Sequence, residues 1–342
     1  MGSRANFIFV DEAASAGYEL FYSHWAGNSL DCSLFWGPEH AAESIRSQKP
    51  VDPAEGWLDT DWAEGGALFD PAAKTFVLFG GEDIDYDLPL RRAYMKLLAI
   101  PWAGWTVRWA EEGLVTLAEY VGVARERVRG RYREDTTKLP SIAPHPERDY
   151  VETVLTLRTA EGLQILPLCC GPTRYLASGP RLLKAVLAEG HRPERETFDR
   201  REWLARKTAS FPEGGLHLDP AAKTLDFWCG RAEADLLATT TAAWPGLRVT
   251  DHVSEYEAHE RLAGPALRLC PPDERGLFEH LLKVLDREIK PVDVEGIAAA
   301  IAEQTGKSVE VNPEATEDRR RNMEAARRRE ILERCREAVG LA

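Results

Sequence analysis

Glu64-Gly-Gly-Ala-Leu-Phe-Asp-Pro-Ala-Ala-Lys-Thr75 returns later in the chain as Glu213-Gly-Gly-Leu-His-Leu-Asp-Pro-Ala-Ala-Lys-Thr224. Nine of the twelve positions are identical at an offset of 149. The shared Asp-Pro-Ala-Ala-Lys-Thr has turn chemistry, because Asp accepts backbone bonds where a turn begins and Pro presets φ at the next position. Apolar runs on both sides make each copy a predicted hairpin. Working outward, Trp102-Ala-Gly-Trp-Thr-Val107 matches Trp244-Pro-Gly-Leu-Arg-Val249 at an offset of 142. Gly37-Pro38 matches Gly179-Pro180, and Gly122 matches Gly264, at the same offset. Order and spacing agree over most of both halves, which predicts two copies of one module.

Each copy reads the same way. Alternating apolar residues predict strands over Phe7–Val10 and Tyr18–Tyr22, with counterparts at Val151–Leu157 and Leu163–Leu168. Helices with Pro in the first turn follow at Pro38–Gln48 and Pro180–Glu189. After the hairpin come a helix, a Trp-x-Gly loop, a strand and a last helix that closes at glycine. The order ββ-α-ββ-α-β-α predicts an α+β fold of antiparallel strands covered by helices, repeated in tandem. Three prolines between Thr136 and Pro146 mark a linker. The expected organisation is a first module over 1–135, a linker over 136–148, a second copy over 149–264 and a helical tail over 265–342. In the tail, helices are expected at Asp273–Arg287, Val294–Gln304 and Ala315–Val339, with a short strand at Ser308–Val311. Met323, Ile331, Leu332 and Cys335 are spaced to turn inward on the last helix.

Composition narrows the function. The chain has 342 residues, 44% hydrophobic and 29% charged, with 43 basic and 56 acidic side chains and a formal charge of −13. That balance opposes nucleic-acid binding, which needs a basic face. No apolar run is long enough to span a membrane, and the start has no basic-then-apolar leader pattern. Six cysteines without Cys-x-x-Cys spacing read as reduced thiols, so a cytoplasmic protein is expected. Residues 1–100 hold 16 acidic and seven basic side chains together with Trp25, Trp36, Trp57 and Trp62. An acidic, Trp-bearing surface suits a basic protein partner, since charge steers encounter and aromatic rings anchor contact. Trp25, Trp36, Asp83, Asp85 and Asp87 are the partner-binding candidates. In composition this profile resembles immunity proteins that neutralise basic toxins.

Catalytic signatures are sparse. The chain has no Walker loop, no Gly-x-Gly-x-x-Gly and no Gly-x-Ser-x-Gly. His259-Glu260 opens a zinc motif, but Ala263 stands where the second histidine belongs. Asp83-Ile-Asp85-Tyr-Asp87 imitates a calcium loop, with Leu88 in place of the required glycine. Neither a metal nor a cofactor is expected. His24, Asp31, Glu39 and His40 remain as a cluster for acid–base chemistry, because a carboxylate beside an imidazole can orient it. The second copy carries Leu166, Arg181 and Leu182 where the first has His24, Glu39 and His40. Six arginines in two triplets, Arg319–Arg321 and Arg327–Arg329, are expected to dock on the acidic first module. The favoured reading is a non-enzymatic interaction protein whose first module holds a basic partner. The alternative is a small-molecule enzyme using the His24, Asp31, Glu39 and His40 cluster.

Overall fold

Strand β1, Ala5–Val10, is buried along all but its last residue, and β4, Gly65–Asp70, along its whole length. Strands covered on both faces need helices on both sides of a sheet. A computed structural model describes residues 2–131, 138–143, 151–204, 211–231 and 233–341. The chain divides into two units: Met1–Ile84, Leu90–Arg131 and Glu274–Ala342 form one, and Asp85–Pro89 with Tyr132–Asp273 the other. The tail residues from Glu274 onward therefore belong to the first unit. Of the proline-rich linker, 136–137 and 144–148 lie outside the described residues.

In the first unit β1 is followed by β2 (Tyr18–Ser23), α1 (Leu30–Leu34), α2 (Pro38–Arg46), β3 (Lys49–Val51) and β4. Then come β5 (Thr75–Gly80), α3 (Leu88–Leu98), β6 (Thr106–Trp109), α4 (Leu114–Tyr120) and α5 (Arg125–Val128). The sheet order is β3-β2-β1-β4-β5-β6. The second unit runs β7 (Thr153–Arg158), β8 (Leu163–Leu168), α6 (Pro172–Ser178), α7 (Pro180–Ala188), β9 (Phe198–Asp199) and α8 (Arg200–Leu204). It continues with β10 (Gly214–Asp219), β11 (Thr224–Cys229), α9 (Leu236–Ala243), β12 (Arg248–Asp251), α10 (Tyr256–Ala263) and β13 (Leu267–Arg268). Its main sheet has the order β12-β11-β10-β7-β8, and β9 pairs with β13. Three helices end the chain: α11 (Glu274–Leu285), α12 (Val294–Thr305) and α13 (Ala325–Ala338).

The α+β class is as expected, but the sheets are mixed rather than antiparallel. β1 runs parallel to β4 and β5 to β6, as β7 does to β10 and β11 to β12. A tight hairpin can join only antiparallel neighbours; a strand reached through a helical crossover returns in the same direction. Helix α3 between β5 and β6 is such a crossover, and α9 occupies the same place between β11 and β12. The registers correspond as well. Ala5 faces Gly65 across the parallel pair in one unit, and Thr153 faces Gly214 in the other.

Two expectations in the tail are corrected. Ser308–Val311 forms no strand, and the last helix begins at Ala325, preceded by a 3-10 turn at Pro313–Thr316. Three consecutive arginines beside Asp318 leave the helical path, where Arg320 instead donates to Asp318 and to Ser29. Met323, Ile331, Leu332 and Cys335 are all buried, in one apolar cluster with Phe35, Trp36 and Trp102. Within that cluster the Phe76 ring stacks on Trp102 at a centroid distance of 4.0 Å.

The two Asp-Pro turns close as their chemistry predicts. Asp70 Oδ1 accepts from Ala73 N–H at 2.8 Å, and Asp219 Oδ1 from Ala222 N–H at 2.9 Å. Asp70 also accepts from the Tyr120 hydroxyl at 2.8 Å through its other oxygen, whereas the other oxygen of Asp219 has, among the described residues, only Arg158 at 3.9 Å. Asp70→Ala is therefore expected to cost about 2–3 kcal/mol and Asp219→Ala about 1 kcal/mol, because the first leaves two donors unpaired. Urea unfolding of the two variants checks the order; an equal loss would remove the Tyr120 bond from the account.

Candidate functional site

The four residues proposed for acid–base chemistry all lie in the first unit, at different places in it. His24 follows the end of β2, is 5% exposed, and its Nδ1 lies 3.0 Å from the Tyr22 hydroxyl. Asp31 is buried on α1, and removal from water raises its carboxyl to about 6, with Asp83 adding to the rise. Tyr94 donates to the main-chain carbonyl of the same residue at 2.9 Å. Glu39, in the first turn of α2, is exposed and paired with Arg327 at 2.7 Å. His40 is half-buried in α2; burial and the Arg321 charge hold its imidazole below the usual histidine range. No hydrogen bond links any two of the four among the described residues. His24 lines a cleft, together with Tyr22, Gln48, Lys49 and Arg319.

The partner-binding candidates separate in the same way. Trp36 is 4% exposed and its indole N–H donates to Cys32 O at 2.7 Å, so it packs in the core and has no free face. Trp25 is half-buried, with its indole donating to Ala315 O at 2.7 Å. Asp83 is exposed. Asp85 and Asp87 belong to the second unit, where Asp85 faces Arg231 at 3.9 Å and Asp87 acts on the buried Arg200. The arginine triplets do reach acidic side chains of the first unit: Arg321 lies 3.5 Å from Glu43, and Arg327 holds Glu39. The acidic face of α2 is thus met by the chain's own cations.

A different acidic stretch is open. Between β3 and β4, residues 52–64 carry Asp52, Glu55, Asp59, Asp61 and Glu64, with no Lys or Arg. Asp52, Glu55, Asp59 and Glu64 form no ion pair among the described residues. Trp62 stands 57% exposed in this stretch, more than any other large apolar side chain described. The Arg4 guanidinium lies over its ring at 4.7 Å, so the indole face already holds one cation. Asp61 and Thr60 anchor the loop by accepting from Arg131 N–H and Gly130 N–H at 2.7 and 2.8 Å.

Sequence reasoning missed a polar network inside the second unit. Trp228 Nε1–H donates to His259 Nδ1 at 3.3 Å. An indole can only donate, so neutral His259 carries its proton on Nε2 and donates it to Thr156 Oγ1 at 2.8 Å. Thr156 Oγ1 also lies 2.7 Å from His217 Nδ1, and its hydroxyl donates to Leu216 O at 3.4 Å. At Gly215 a Cβ would run into both His259 Nδ1 and Trp228 Nε1, so only glycine admits the pair. In the first unit the matching positions are Ile8, Leu68, Phe79 and Leu117, and Gly66 faces Phe79 and Leu117 in the same manner. His217 opposite Leu68 was visible inside the duplicated block itself, as a lone imidazole on an otherwise apolar strand. Thr156, His217, His259 and Trp228 are all at most 4% exposed, which puts them out of reach of a substrate. Burial and the charges of His217 and His252 lower His259 to about 3.

No family model matches the chain, and no curated protein or solved structure is similar to it. No helix among the described residues is long and apolar enough to cross a membrane.

Proposed function

We propose that the protein works by binding a basic protein partner through its first unit, in the manner of an immunity protein, and that the contact centres on residues 52–64. The observation that carries this reading is Trp62, exposed among five carboxylates with no basic side chain in the stretch. Exposed aromatic rings make anchors at interfaces, while surrounding charge accelerates and orients encounter. Arg4 over the Trp62 ring supports the partner chemistry, since an incoming arginine takes the same geometry. The surface is thereby shifted from Trp36, Asp85 and Asp87 toward Trp62. The catalytic alternative draws less support, because His24, Asp31, Glu39 and His40 share no hydrogen bond.

The two units also fit a duplicated module. Equal strand pairing, equal register at Gly65 and Gly214, and equal placement of α3 and α9 support that origin. On this reading the copies diverged in opposite senses, toward surface acidity in the first and a polar core in the second.

The test is association kinetics with a basic protein recovered from native lysate. Reversing Asp52, Glu55 and Asp59 to lysine is expected to slow association about tenfold or more at low salt, with the circular dichroism spectrum unchanged. Trp62→Ala is expected to speed dissociation instead, by loss of the anchor. Unaltered rates in both variants would end the assignment of this surface.

A further inference from the structure

Arg4 stands immediately before β1, where its main-chain carbonyl accepts from Glu64 N–H at 2.9 Å. That bond sets Arg4 beside the stretch 52–64. The stretch holds five carboxylates, yet Arg4 forms no ion pair and no side-chain hydrogen bond among the described residues. Its guanidinium lies instead over the Trp62 ring, 4.7 Å from the centroid. The Trp62 side chain still stands 57% exposed, which leaves room for contact with a further group.

The neighbouring carboxylates differ in what they can still accept. Asp52 Oδ1 takes Ala54 N–H at 2.8 Å and Asp59 Oδ1 takes Asp61 N–H at 3.0 Å, which commits one oxygen of each to its own turn. Glu55 and Glu64 are exposed, and their side chains accept no hydrogen bond among the described residues. Both oxygens of each are open to a two-pronged donor. A flat aromatic face and whole carboxylates distinguish two kinds of cation. Guanidinium is planar, weakly hydrated and forked, so it stacks on indole and meets a carboxylate through two parallel N–H groups. Ammonium is a compact, strongly hydrated point charge that lacks both the plane and the fork.

We propose that residues 52–64 select arginine over lysine, the Trp62 ring stacking one guanidinium and Glu55 and Glu64 each accepting the fork of another, so that the partner presents an arginine-rich segment. The inference rests on the reading of this stretch as the partner surface and adds the chemistry that the surface selects.

Decapeptides of arginine and of lysine carry the same charge and differ in the shape of the cation. Each is titrated against the full chain at one ionic strength and followed by the anisotropy of a dye on the peptide. The arginine peptide is expected to bind at least about tenfold more tightly. Trp62→Leu keeps apolar bulk at an exposed position but removes the ring. Glu55→Gln combined with Glu64→Gln keeps the side-chain shape but removes the forked acceptors. Each variant is expected to reduce the preference to about threefold or less, with the circular dichroism spectrum unchanged. Equal affinity of the two peptides, or a preference undiminished in either variant, would overturn the selection of arginine and leave a surface that reads charge alone. Failure of both peptides to bind would end this inference together with the basic-partner reading beneath it.

Discussion

A chain that stops at Val311 is expected to lose most of the stability of its first unit. Helix α13 places Ile331, Leu332 and Cys335 at 4%, 1% and 0% exposure in the same cluster as Phe35 and Trp102, and Met323 precedes them at 7%. Burial of each large apolar side chain is worth about 1.5–3 kcal/mol, so together they supply several kcal/mol. That is a large share of the ~5–15 kcal/mol that holds a typical domain folded. The loss would also expose the apolar surface beneath and remove the bonds from Trp25 and Gln48 to the tail. A fall in Tm of about 10 °C or more is expected for the first transition in calorimetry. Leu332→Ala alone should cost about 3 kcal/mol, while Arg329→Ala, on the exposed side of the helix, should change little. A truncated chain that melts with the intact one would show that the tail's burial carries no weight.

The second large effect is acid sensitivity of the second unit. An unfolded histidine titrates near 6.5, and in the fold His259 is lowered to about 3. Between these values the unfolded chain binds more protons than the folded one. Stability contributed by neutral His259 is complete above pH ~6.5 and falls as pH is lowered toward 3, by about 1.4 kcal/mol per pH unit. Glu213 acts in the opposite sense. Burial and the charge of Glu152 raise it to about 7, so its folded form holds a proton that the unfolded chain releases above ~4.5. Acidification from pH 7 to ~4.5 therefore gains from Glu213 what it loses through His259, and the profile is flat there. Below pH ~4.5 the histidine loss continues without that gain, and below ~3.8 it is joined by Asp199, whose carboxyl the Arg201 pair holds under the usual carboxylate range, so the unit is expected to unfold steeply.

His217 shares the shift toward the neutral form, through burial and Arg158, against the attraction of Asp226 and Asp219. Replacing Thr156, His217, Trp228 and His259 by the first unit's Ile, Leu, Phe and Leu removes donors and acceptors together, which avoids orphaned groups. The fourfold variant should stay folded about one pH unit lower or more, when acid unfolding is followed by tryptophan fluorescence. An unchanged acid midpoint would show that the network does not govern the transition.

Much of each unit was legible from local pattern. The turns at Asp70 and Asp219 depend on a side chain bonding three residues away, so the peptide segment carries its own instruction. Strands such as β5 and β11 and helices such as α7 and α11 follow from apolar period within one element. The site residues were less legible. His24 reached a cleft, but its cleft partners Gln48, Lys49 and Arg319 come from two other parts of the chain. Trp62 and Trp36 look alike in sequence, and only the folded chain leaves one at 57% exposure and the other at 4%.

The sequence by itself determined the hairpin turns, the longer strands and helices around them and the acidic bias of the first hundred residues, because these rest on chemistry within a few residues. Short elements such as β3, α1 and α6 were not legible in it. The tertiary structure alone decided that β1 and β4 run parallel, that α13 fills the first unit's core, and that Thr156, His217, Trp228 and His259 meet in one relay. Each of those outcomes joins residues far apart in the chain, and what selects them is burial and hydrogen-bond pairing across the whole fold.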